Sequence, residues 1–380
     1  MLDQSTIEGN LLSILIYLVL FVYSVYVLLT YKSTSRVTVS VFQHLLVIFF
    51  CVFAFWDSDY YHYKEILSYI NPEHGYTNQA THLEPLYIWL YDISGRSYLI
   101  FRLYVWGVSY LLFIYLSKKI DAYNRLTFSL FTILYCVTFS YARVSLGMVT
   151  LYLGIILLLY NDKRFINAII GVLVLILCYF SHKTMFVPLC LVPLYFVRYR
   201  RSYMIMIILI VFLIALFYSQ NIISVLVDGP DSVGQFEMLS DTFKSASTYG
   251  EQGVSLQSGM GAILLRIIQY ASLIIPLIYM SNRKIYRFIQ DNIRYRVLYN
   301  GALIIVSFAL SLGAIISFNS PLCYRYLYMS YVPVVLLLSV LYGQNLLTRK
   351  KITIIIVVAG ISVWYRLLYS FYLTTLIDNY

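Results

Sequence analysis

A chain of 380 residues that is 61% hydrophobic and only 12% charged has too little polar surface to coat a water-soluble globule, where about a quarter of residues are charged. Its net charge of +10 does not mark a nucleic-acid binder, because the Lys and Arg stand in short tethers between apolar runs. The cysteines Cys51, Cys136, Cys178, Cys190 and Cys323 lie within or beside those runs. They form no CxxC pair and no metal-ligand spacing, so they read as small hydrophobes.

The apolar runs are about 15 to 25 residues long, enough to cross roughly 30 Å of hydrocarbon as helices that satisfy their own backbone. In chain order, spans are predicted at 10–31, 40–56, 98–117, 126–141, 144–160, 165–181, 184–198, 202–227, 261–280, 298–318, 323–342 and 351–374. The expectation is one all-α polytopic domain over 1–380 with about 12 transmembrane helices. The first run is long enough to stay as a span rather than be removed as a signal. The fourth to seventh runs are short, which predicts tilted, broken or half-crossing helices. No period of 20–50 residues repeats.

Charge fixes the orientation. Alternate tethers carry Lys32 and Arg36; Lys118, Lys119 and Arg125; Lys163 and Arg164; Arg198, Arg200 and Arg201; Arg283, Lys284, Arg287, Arg294 and Arg296; and Arg349, Lys350 and Lys351. Those tethers hold 18 of the 27 basic residues, against three acids, Asp121, Asp162 and Asp291. By the positive-inside rule this side is cytoplasmic, which puts both termini and the long segments 57–97 and 228–260 outside. Segment 57–97 contains runs at Ile66–Ile70 and Leu86–Tyr91 that are amphipathic enough to lie on the membrane surface. Segment 228–260 is polar and rich in Gly and Ser, and reads as a possible lid.

The remaining basic residues lie on the outer side, mostly within a turn of a span. A cation beside hydrocarbon is costly unless it snorkels or faces a partner or a water cavity. Arg143, at the junction of two short spans, is surrounded by Ser140, Ala142, Ser145 and Gly147, which leave room for a ligand. Arg325 opens a span among tyrosines, where an interfacial belt is the plain alternative. His182 and Lys183 form a polar hinge between two apolar runs. Arg266 lies one turn into a span, where packing alone would account for it. Arg102 and Arg366 read as snorkelling residues. Among the acids, Asp57 and Asp59 follow the second span, and Glu84 precedes Pro85, a position that also suits a helix cap. Carboxylates beside several guanidiniums on one membrane face point to a cavity in which arginines hold a phosphate or diphosphate. A carboxylate or His there would take a proton. The 40 tyrosines are mostly interfacial, although aromatic platforms also suit sugar faces.

Several of these residues together resemble the EpsG-type, Wzy-like polysaccharide polymerases. The likeness is carried by Asp59-Tyr60-x-x-Tyr63, Glu84-Pro85-Leu86-Tyr87, Arg143, His182-Lys183-Thr184 and Arg325-Tyr326, in that order along most of the chain. The chain departs in having Val-Ser-Leu-Gly after Arg143, where the family often shows a Gln and an Ala. The resemblance implies a fold like that of the GT-C-type lipid-dependent glycosyltransferases, in the bacterial cytoplasmic membrane. It implies an inverting transfer in which a growing glycan leaves undecaprenyl diphosphate for a new lipid-linked repeat unit. Glu84 would be the base, with Asp59 and His182 as rivals. Arg143 and Arg325, with Lys183 or Arg266, would hold the diphosphate, and Tyr60, Tyr63, His82 and Tyr326 would bind sugar. No cofactor or metal is expected, since the arginines neutralise the diphosphate and Asp57-Ser-Asp59 reads as a polar loop start. Implied partners are undecaprenyl diphosphate-linked glycans, membrane lipids, a flippase and chain-length regulators, and no nucleic acid. An O-antigen ligase-like transferase and a flippase or exporter of lipid-linked sugar are the competing readings. The absence of matching halves disfavours transport.

Overall fold

The computed structural model describes residues 4–31, 39–53, 84–140, 144–160, 164–200, 260–315 and 321–377, about 87% of them helical and none in a strand. The helices are α1 (Gln4–Thr30), α2 (Val41–Phe53), α3 (Pro85–Ile93), α4 (Tyr98–Arg102), a π-helical turn (Leu103–Gly107), α5 (Val108–Lys119), α6 (Asn124–Leu134), α7 (Cys136–Phe139), α8 (Val144–Leu158) and α9 (Arg164–Ser181). They continue with a 3-10 turn (Lys183–Met185), α10 (Phe186–Tyr195), α11 (Met260–Met280), α12 (Arg283–Asp291), α13 (Ile293–Ile315), α14 (Pro321–Met329), α15 (Tyr331–Gly343) and α16 (Arg349–Ile377).

Among the described residues, five stretches are long and apolar enough to cross a bilayer: Leu11–Thr30, Tyr98–Lys119, Ile293–Gly313, Arg325–Gly343 and Arg349–Leu368. Shorter apolar helices cover Val41–Phe53, Val144–Leu158, Phe165–Ser181, Lys183–Tyr195 and Ile267–Met280. Large apolar side chains such as Val19, Phe165, Leu173, Val357 and Leu368 face outward, which water would penalise and hydrocarbon solvates. The result is a multi-pass helical membrane protein. Helices stand at the expected positions except 202–227, which lies outside the described residues, as do Ile66–Ile70 and nearly all of 228–260. The fourth expected span is broken: Tyr135 has φ −129° and ψ −26° between α6 and α7. Part of the basic tether after the span 261–280 is itself helical, forming α12.

The chain divides into two compact units, one of Met1–His182 with Leu338–Tyr380 and the other of Lys183–Leu337. In the first unit every residue of α8 from Val144 to Leu157 is buried, as expected of a helix that is apolar all round. α9 lies along α8 with Gly154 against Gly171: a Cβ on either would come within 3.0 Å of the other's carbonyl oxygen. Small residues at such a crossing let membrane helices approach closely. α1 packs on α2, α6 and α16, and the buried Tyr17 hydroxyl donates to the Thr132 carbonyl at 2.9 Å. Cys51, Cys136 and Cys178 are buried here.

In the second unit α13 packs against α10, α12 and α14. The Asn300 amide on α13 donates to the carbonyls of Tyr195 at 3.0 Å and Val197 at 2.8 Å, closing the end of α10. α12 turns Ile285, Tyr286, Ile289 and Gln290 inward and Arg283, Lys284 and Arg287 outward. Its Asp291 pairs with Arg198. Burial raises the Tyr286 phenol above its usual range, and its hydroxyl donates to the Tyr199 carbonyl at 2.7 Å.

Candidate active site

Glu84 occupies the N-cap position of α3 in extended conformation (φ −66°, ψ 138°), and Pro85 supplies the first turn. Its carboxylate makes no cap bond. Instead, Oε1 lies 3.8 Å from Nδ1 of His182. That separation exceeds a hydrogen bond and lies within ion-pair range when the imidazole is protonated. Both residues are buried, Glu84 at 5% exposure and His182 at 4%. The pair is made by packing α3 onto α9, because His182 directly follows the last turn of α9.

Beside the pair, Leu86 and Trp89 of α3 and Leu173, Ile176, Leu177 and Phe180 of α9 line an apolar groove of about 290 Å³. A buried carboxylate facing an imidazole is an acid–base arrangement: one partner takes a proton and the other stabilises the charge that results. Among the described residues no three of His, Cys, Asp and Glu gather in a way that would hold a metal ion.

Each of the other expected residues is placed within its own unit or lies outside the described residues. Lys183 begins the 3-10 turn and is exposed. Arg325 lies half-buried on α14 of the second unit, and Tyr326 beside it is buried with its ring edge-on to Phe308 at 4.8 Å. Arg266 belongs to α11, with its side chain outside the described residues. Asp59, Tyr60, Tyr63, His82 and Arg143 also lie outside them.

Arg102 corrects the snorkelling expectation. It is 2% exposed, with Nε donating to the Val52 carbonyl at 2.8 Å and Nη2 to those of Cys51 at 2.7 Å and Ser140 at 3.0 Å. Its Cζ lies 4.4 Å from the Trp106 ring centroid. The local signal was an Arg with a Trp four residues on, one turn apart on one helix face. Arg366 is half-buried.

A sequence model of the EpsG family matches residues 37–377. No curated protein and no solved structure matches the chain.

Proposed function

From the premise that this chain belongs to the EpsG family, which points to a polysaccharide polymerase-type role, we propose that it polymerises undecaprenyl diphosphate-linked oligosaccharide repeat units. The reaction takes place at the outer face of a bacterial cytoplasmic membrane. The hydroxyl of a non-reducing terminal sugar on a new lipid-linked unit attacks the anomeric carbon of the growing glycan. The new glycosidic C–O bond forms as the bond from that carbon to the diphosphate oxygen breaks. Undecaprenyl diphosphate departs with the electron pair, and the anomeric configuration inverts. Glu84 takes the hydroxyl proton. Arg143 and Arg325, with Lys183 or Arg266, stabilise the charge developing on the diphosphate.

The observation that carries this reading is the buried Glu84–His182 pair. These are two of the residues on which the family resemblance rests, they come from separate helices, and they pair where no cap or surface salt bridge requires it. The apolar groove beside the pair suits a lipid-bound substrate.

The test is product analysis. Purified protein given a lipid-linked repeat unit of known anomeric configuration should form a linkage of the opposite configuration and release one undecaprenyl diphosphate per linkage. Retained configuration would refute single displacement. Movement of the lipid-linked unit across the membrane with no bond formed would refute the enzyme reading.

A further inference from the structure

Arg102 is the described residue whose burial the proposed chemistry leaves unexplained. Taking a charge out of water is costly, so an apolar side chain would pack α4 against α2 more cheaply. What a guanidinium adds is a planar fork that holds several acceptors in fixed geometry. The carbonyls of Cys51 and Val52 belong to the last turn of α2, where helix carbonyls lack intrahelical partners and carry partial negative charge. Ser140 is the C-cap of α7. One side chain therefore binds the negative ends of two helices to α4.

The consequence reaches Glu84 through the next residue. Phe101 is buried and meets the rings of Tyr87 at 6.1 Å and Tyr91 at 6.0 Å, one turn apart on α3. Tyr87 also donates its backbone N–H to the Glu84 carbonyl at 2.9 Å. The base thus sits on a short helix that rests on α4, and α4 is locked by Arg102. A π-helical turn begins directly after Arg102, a device found often beside functional sites. We infer that Arg102 is a positioning residue: through α4 and Phe101 it fixes the N-terminus of α3, and with it the carboxylate of Glu84 opposite His182.

This inference rests on the polymerase reading, and one set of rate measurements separates the two. Arg102→Lys keeps the charge and loses the fork. Assayed in proteoliposomes with lipid-linked repeat units, it should insert at wild-type level while kcat falls at least about tenfold and KM for the lipid-linked donor stays within about twofold. Combined with Glu84→Asp, its loss should be smaller than the product of the two single losses, because residues acting as one unit are non-additive. A well-inserted Lys variant with wild-type kcat, or losses that simply multiply, would overturn the inference and leave the polymerase reading standing. Should the Lys variant not accumulate, Phe101→Leu, which keeps Arg102 and loses the ring edges against α3, should show the same kcat loss and coupling to Glu84→Asp; multiplying losses there overturn it equally. A wild-type protein that forms no polymer defeats the polymerase reading and this inference with it.

Discussion

Pro85 already has the backbone angle of a first helical turn and no N–H to satisfy, so α3 does not need the Glu84 side chain as a cap, and that side chain reaches His182 instead. Glutamine at position 84 has nearly the same shape but takes no proton. Glu84→Gln should reach the membrane at wild-type level with initial rates lower by about 100-fold or more, the scale of a general base. An unaltered rate would exclude Glu84 and turn attention to Asp59 and His182. Arg143→Ala and Arg325→Ala should each abolish polymer while membrane levels, read by immunoblot, stay constant; near-normal polymer in both would end the diphosphate role assigned to them. The sequence marked Glu84 beside Pro85 in the outer segment 57–97 and His182 in a polar hinge between two runs, and offered both as candidate bases. Their pairing was not legible, because it depends on which helix α9 meets, and no local spacing encodes that. Arg102 was misread for the same reason: its partners are main-chain carbonyls of α2 and α7, and a carbonyl has no sequence signature.

Between helices, α8 and α9 cross closely at Gly154 and Gly171. A Cβ at Gly171 would meet the Gly154 carbonyl oxygen at 3.0 Å as well as the Leu158 side chain at 3.1 Å, and rotamer adjustment of Leu158 cannot relieve the main-chain contact. Gly171→Val should force α8 and α9 apart at a cost of about 1–3 kcal/mol, read as a lower thermal midpoint in detergent. A wild-type midpoint would show that the crossing tolerates a side chain. Since His182 directly follows α9, activity should fall in the same variant. The spans themselves were legible because an apolar run is a local property. The break at Tyr135 was foreshadowed by the shortness of its run. α12 was overlooked rather than hidden: its Arg and Lys residues read as a tether, although Ile285, Tyr286 and Ile289 recur at helical spacing and form one apolar face.

For the whole molecule, the sequence distribution of basic residues predicts, by the positive-inside rule, a cytoplasmic segment 283–296 and an outer segment 94–97. Cysteines introduced at Lys284 and at Arg96, in a Cys190→Ala background, test this in intact cells with a membrane-impermeant thiol reagent. Position 96 should be labelled and position 284 protected until the cells are opened. The reverse pattern would invert the topology and move the Glu84–His182 pair away from any outward-facing substrate. Polymerisation through Glu84 is tested most directly by one assay: purified protein in proteoliposomes, given only undecaprenyl diphosphate-linked repeat units, with products resolved by length. A ladder of glycans spaced by one repeat unit, present for the wild type and lost in Glu84→Gln, is the predicted result; transfer of a single chain length, no bond formation, or an undiminished ladder from Glu84→Gln would contradict it.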